Sequence, residues 1–228
     1  LPSALLDLDA GDTTIGHVDS TGKAPWGYMQ DVADTEAGVL FIGTTGLVTL
    51  HNRTRGYGSS AAVDVSVSAE VIDPGVRLSS GIAGVVNDIT VSRPGGATVR
   101  VVDSVSVSTY GVLGEAIDTI GDSDLDALNR ANWELATRST PVVKLPELTL
   151  DGLTEPASAA DVRALDIGSR IEVTDLPAQA PESIADLRVQ GYTERIGAGG
   201  WTVTANTTPY LAVTSLILDD PVRGLLDS

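Results

Sequence analysis

Apolar and polar residues alternate most densely between Val85 and Gly111, and shorter stretches of the same kind recur along the chain. In a first arm Val86, Asp88, Thr90 and Ser92 alternate with Val85, Ile89 and Val91, with one break at Asn87. In a second arm Val99, Val101, Val105 and Val107 alternate with Arg100, Asp103, Ser106 and Ser108. Such a period of two places one side of each strand in a core and leaves the other in water. Pro94-Gly95-Gly96 between the arms offers a turn with positive φ available at both glycines. The pattern predicts one long β-hairpin, a building piece without chemistry of its own.

The same reading extends to the rest of the chain. Residues 1–23 read as loop and short extended pieces. Trp26 to Ala37 predicts a helix with Trp26, Met29 and Ala33 on one face, Pro25 near its start and Gly38 just past its end. Val39–Ile42 and Leu47–Leu50 form a second predicted hairpin, followed by Arg53 and Arg55. A loop is expected over 56–60, a strand over 63–69 and a turn at Asp73-Pro74-Gly75. From Gly111 to Gly121 the pattern is irregular. Ser123, with Asp126 three residues on, predicts a capped helix reaching about Arg138, with Leu125, Leu128, Leu135 and Ala136 as its apolar stripe. Val142 to Leu150 reads as a strand interrupted by Pro146, hence an edge or a bulge. A short helix is expected over 158–165 and a strand over 170–174. A third hairpin joins 187–195 to 201–205, with Trp201, Val203 and Ala205 on one face. The acidic end from Leu216 carries no clear pattern.

Hairpins with a few inserted helices predict an α+β fold with barrel-like or sandwich-like sheets. The elements group into three modules: loop, helix and hairpin over 1–60, central hairpin and helix over 61–155, and a C-terminal barrel-like module over 156–228.

Composition narrows the function. The chain has 228 residues, with 14 Lys plus Arg against 31 Asp plus Glu, a formal charge of −17. Specific nucleic-acid binding is not expected, because no basic patch exists to release phosphate counterions. There is no cysteine, which excludes thiolate catalysis, disulfides and Cys-ligated metals. No apolar run approaches the roughly 20 residues of a spanning helix. The start is acidic and lacks an initiator Met, Met29 being the sole methionine. The chain is therefore expected to be part of a larger polypeptide or processed at its N-terminus.

Each residue that could carry chemistry has a plainer role. His17 and His51, the only histidines, stand without partners at metal-ligand spacing and are assigned to surface or packing. Asp122, Asp124 and Asp126 resemble an oxygen-rich calcium loop, but the glycine and distal Glu are missing; helix capping explains them. Asp7, Asp9 and Asp12 read as a solvated acidic loop. No nucleophile elbow, phosphate loop or dinucleotide glycine pattern occurs. Trp26 and Trp201 lie on apolar faces and are assigned to the core, whereas Trp133, at the rim of its stripe, is the tryptophan expected to reach an interface. No catalytic, cofactor-binding or metal-binding residue is assigned, and no enzymatic activity is expected.

The order of pieces resembles the minor tail proteins of siphophages that infect actinobacteria, of the tail-hub or baseplate-hub type. The resemblance rests on WGYMQDVADTEAGVLFIGTTGLVTLHNR (Trp26 to Arg53), on VVNDITVSRPGG followed by DSVSVSTYG, on RALDIGSRIEVTDLP (Arg163 to Pro177), and on VQGYTERIGAGGWTVTANTTP (Val189 to Pro209). Together these cover most of the chain in the family's order. The family's proteins are usually longer, with an N-terminal region absent here, and have no catalytic motif to carry over. The resemblance implies a structural ring component at the tail tip, assembled in the host cytoplasm and surrounding the DNA channel. It implies self-association, as a trimer whose paired barrels mimic sixfold symmetry, with the distal tail, tail tube, tape measure and other tip proteins as partners. Acidic residues lining the channel would then repel passing DNA. It also places Tyr110-Gly111 at a strand end or subunit contact, and the 85–111 hairpin in an assembly contact. The alternative is a carbohydrate-binding or glycan-cleaving β-domain at the tail tip or cell surface, which the low aromatic content of 4% disfavours. A hub from a contractile injection particle would read the same way.

Overall fold

The computed structural model describes residues 3–19, 21–55, 61, 63–66, 78–79, 81–152, 156–176, 178, 180 and 183–210. The expected loop at 56–60, the turn at Asp73-Pro74-Gly75 and the end from Leu216 lie outside these residues. The class is α+β, as the hairpin-and-helix pattern predicts. Among the described residues the strands form three mixed sheets, none of them closed into a barrel.

The first sheet has the order β1-β3-β2. It contains β1 (Leu6–Leu8), β2 (Val39–Ile42) and β3 (Val48–His51). β2 and β3 are the predicted hairpin, and β1 joins β3 in parallel. Before them, α1 (Pro25–Glu36) starts on its proline. Its left-handed terminal residue is Ala37 (φ 55°), not the glycine after it. Gly38 is needed for another reason: a Cβ there would press on the backbone carbonyl of His51 at 2.5 Å. Trp26 departs from its assignment to the core, being 39% exposed. The helix buries its other end, through Ala33, Thr35 and Glu36.

The second sheet, β6-β5-β7, contains β5 (Asp88–Ser92), β6 (Val99–Val102) and β7 (Gly114–Asp118). Only the first half of the predicted second arm is a strand. Ser104–Tyr110 is a helix, α2, because the Asp103 carboxylate accepts from the amides of Val105 and Ser106, both at 3.0 Å. That cap outweighs the β-branched alternation after it. Tyr110 therefore ends a helix rather than a strand, and Gly111 caps it at φ 79°. The stretch read as irregular contains β7, parallel to β5. α3 (Asp124–Arg138) covers this sheet and starts with the predicted capping box of Ser123 and Asp126. Its buried stripe is Ala127, Ala131 and Leu135, packed against Val86, Ile89 and Val91. The expected stripe is corrected: Leu125 is 63% and Leu128 37% exposed, and Ala136 also faces water. The two alanines let the helix approach a sheet that already carries the bulk, and Leu135 packs at its last turn.

The third sheet, β4-β9-β10-β11-β8, carries the larger core. It contains β4 (Val63–Ser66), β8 (Glu147–Asp151), β9 (Arg170–Thr174), β10 (Ala185–Gly197) and β11 (Gly200–Pro209). β10 and β11 are the predicted third hairpin, longer at both ends. Trp201, Val203 and Ala205 share its buried face, as their alternation predicts. β8 is an edge strand that begins after Pro146, which accounts for that proline. α4 (Pro156–Ala164) contributes Val162 to the same core, beside Leu148, Leu150, Ile171 and Leu187. Burial of each such aliphatic side chain is worth about 1.5–3 kcal/mol.

Candidate functional site

The residues weighed for chemistry in the sequence take structural places. His17 is exposed. Asp126 closes the cap of α3, and Asp124 accepts from Arg93 Nε at 2.6 Å. Asp122 is exposed. Asp9 is more than a solvated acid: it accepts from the Asn52 amide at 3.1 Å and from Arg55 Nη1 at 2.5 Å, tying the N-terminal segment to the end of β3. Asp12 lies 3.7 Å from Arg53 Nε, and Asp7 is exposed.

His51 is buried and meets Phe41 edge-on, with ring centroids 4.9 Å apart. Burial holds its pKa below the usual 6.5, and Arg55 and Arg188 push the same way against Asp9 and Asp7. As pH falls through the unfolded value, the unfolded chain takes up a proton that the folded site resists, so stability falls. Wild type is expected to lose melting temperature between about pH 7 and pH 5.5, and His51→Asn to show a flatter profile. Differential scanning calorimetry across that range checks this; parallel profiles would refute it.

One cleft gathers functional groups that the sequence reading left apart. It has a volume of about 380 Å³ and lies between the end of α1, the α3 surface and the β10–β11 pair. Arg53 enters from the turn after β3, Arg130 and Arg138 from α3, and Arg188 from β10. Positions 130, 134 and 138 form one helical row. Glu134 sits between the two arginines, 2.6 Å from Arg130 Nη2 and 3.1 Å from Arg138 Nη1. Arg138 also forks onto Glu115 at 2.9 and 2.6 Å. Trp133 and Tyr210 complete the wall, and Asp34 stands at the rim.

This cleft is short of acceptors. Arg53 Nη1, Arg130 Nε and Nη1, and Arg188 Nε are buried without a hydrogen-bond partner among the described residues. The side chains of Arg53 and Arg130 are only 10% and 12% exposed. Burial lowers the pKa of Arg130 and of Arg188, and Arg53 adds to the effect on Arg130. The hydroxyl of Thr137 donates back to the helix carbonyls of Trp133 and Glu134, and both Glu134 oxygens face guanidinium groups. The lining thus suits binding of an anion. The Arg130-Glu134-Arg138 spacing was the one visible signal in the sequence. Trp133, expected at an interface, is in this cleft.

No protein-family profile matches the chain, and no curated protein does. Solved structures do. The 43 kDa tail protein of prophage MuSo2 from Shewanella oneidensis is 15% identical, with a TM-score of 0.55 over 91% of this chain and 60% of that one. The tail protein from Neisseria meningitidis MC58 is 11% identical, with a TM-score of 0.61 over 93% of this chain and 63% of that one. The chain thus has the fold of prophage tail proteins. It spans less than two thirds of the length of either relative, and at these identities the likeness extends to fold and not to individual residues.

Proposed function

We propose that the chain is a structural, non-enzymatic component of a phage tail, of the hub type, in a ring at the tail tip that joins the tube to tip proteins around the DNA channel. The observation that carries this reading is the likeness in fold to prophage tail proteins over more than nine tenths of the chain. The same reading makes it a virion protein that self-associates, as a trimer, and contacts the distal tail, tail tube, tape measure and other tip proteins. No described helix is long and apolar enough to cross a membrane.

Exposed apolar residues supply an assembly surface. Val102 and Gly114 flank Asp88 in the register of the second sheet, so the connection between them lies at one end of it. Val102, Val105 and Val112 on that connection are 43%, 74% and 65% exposed. Val101, in contrast, packs against the core with Ile89 and Val91. Aspartate at both Val101 and Val105 would therefore mix a folding defect with an assembly defect. Val105→Asp with Val112→Asp separates them: melting temperature is expected to stay within about 2 °C, while incorporation into tails falls at least tenfold. Unaltered tails would count against this contact.

Cryo-electron microscopy of the particle that contains the chain tests the wider reading. A three- or sixfold ring at one end of a tube supports it. A free monomer holding a glycan overturns it in favour of a carbohydrate-binding domain, for which Trp26 is the exposed tryptophan and Trp201 is enclosed.

A further inference from the structure

We propose that the arginine cleft is a socket for a carboxylate side chain of a second copy of this chain. The inference deepens the ring reading and rests on its premise of self-association. Four arginines line the cleft among the described residues; Glu134 is shared between Arg130 and Arg138, Arg138 also holds Glu115, and Asp12 lies 3.7 Å from Arg53, yet donors remain over. A buried guanidinium N–H without an acceptor is costly, and four such nitrogens from Arg53, Arg130 and Arg188 meet here. An incoming carboxylate would accept from these guanidinium groups once they turn toward it. Trp133 and Tyr210 beside the arginines give the wall the residue types that concentrate binding energy in interface centres.

The occupant follows from charge. With 31 acidic residues against 14 basic ones, a second copy has carboxylates in excess, while four of the 14 cations line the cleft. A single Asp or Glu on a docking subunit meets only the local field, since charges beyond about 8 Å are screened at physiological salt.

The test uses Arg53→Lys and Arg188→Lys variants of the full chain, each prepared with natural and with heavy nitrogen and mixed in equal parts. A carbodiimide then joins the new amines to any carboxylate in contact, and mass spectrometry reads the peptides. The expected result is cross-linked peptides of mixed isotope linking position 53 or 188 to an acidic peptide. Peptides of a single isotope only, linking to Asp12, Asp34 or residues 211–228 of the same chain, would overturn the proposal; so would the absence of any link. In parallel, Arg188→Met removes a buried cation and keeps its apolar stem. It is expected to leave the monomer melting temperature unchanged or higher while weakening self-association at least tenfold in sedimentation velocity. A lower melting temperature with unchanged association would show an internal structural role and overturn the socket. Rings in tails without mixed-isotope links sink the socket alone; mixed-isotope links in a chain absent from tails sink the tail reading alone.

Discussion

Replacing Asn87 by alanine is expected to destabilise the protein by about 3 kcal/mol or more, since each buried hydrogen-bonding group left without a partner costs about 1–3 kcal/mol. Asn87 is fully buried. Its Nδ2 donates to Ser106 Oγ at 3.1 Å and to the Gly111 carbonyl at 2.8 Å, while its Oδ1 accepts from the Leu113 amide at 2.8 Å. Ser106 Oγ in turn donates to the Ser139 carbonyl at 2.6 Å, past the end of α3. Asn87, just ahead of β5, thus ties α2 and the approach to β7 together, and through Ser106 reaches the end of α3. Alanine leaves the Leu113 amide and the Gly111 carbonyl short of partners and opens a gap where a fully buried side chain stood. Urea unfolding followed by circular dichroism measures the loss, and a change below about 1 kcal/mol would show that the network relaxes without it.

Gly152→Ala is expected to cost about 3 kcal/mol, at the upper end of overpacking effects. Gly152 is buried on the edge strand side of the third sheet, and its amide donates to the Trp201 carbonyl at 2.9 Å. A Cβ at this position would overlap the indole ring of Trp201, a rigid group in the core. The indole is held on its other sides: Nε1 donates to Glu194 at 2.6 Å, and the Arg163 guanidinium lies 5.4 Å from the ring centre. The added methyl must push the ring out of the core or bend β11. Lower stability together with red-shifted tryptophan emission is the expected outcome. Unchanged emission with full stability would mean that the β8–β11 edge yields freely.

Asn87 and Gly152 differ in how they read in the sequence. Asn87 was visible as a break in the alternation of Val85 to Ser92, and the break is where the polar network sits. Gly152 carried no signal, because its partner Trp201 is far along the chain. Asp103 was visible too, as a polar residue of the second arm, but its capping role shows only when the following amides turn toward it. The alternation there predicts a strand, and the cap makes it a helix.

What the sequence determined by itself is what near neighbours decide. The α+β class, the α1 and α3 helices with the Ser123 capping box, the three hairpin turns and the buried face of Trp201, Val203 and Ala205 all follow from periods of two and of about 3.6, from capping residues and from glycine-rich turns. Tertiary structure decided the rest. β7 is a strand because β5 offers a parallel edge, and β4 joins β9 across more than a hundred residues. α3 turns Ala127, Ala131 and Leu135 rather than Leu125 and Leu128 to the sheet, a choice set by how the helix seats on Val86, Ile89 and Val91. The arginine cleft exists because a turn, a helix and a strand from distant parts of the chain converge, and burial there removes the water that would otherwise satisfy each guanidinium. Local patterns record what one segment prefers; which groups lose their water is set only when segments meet.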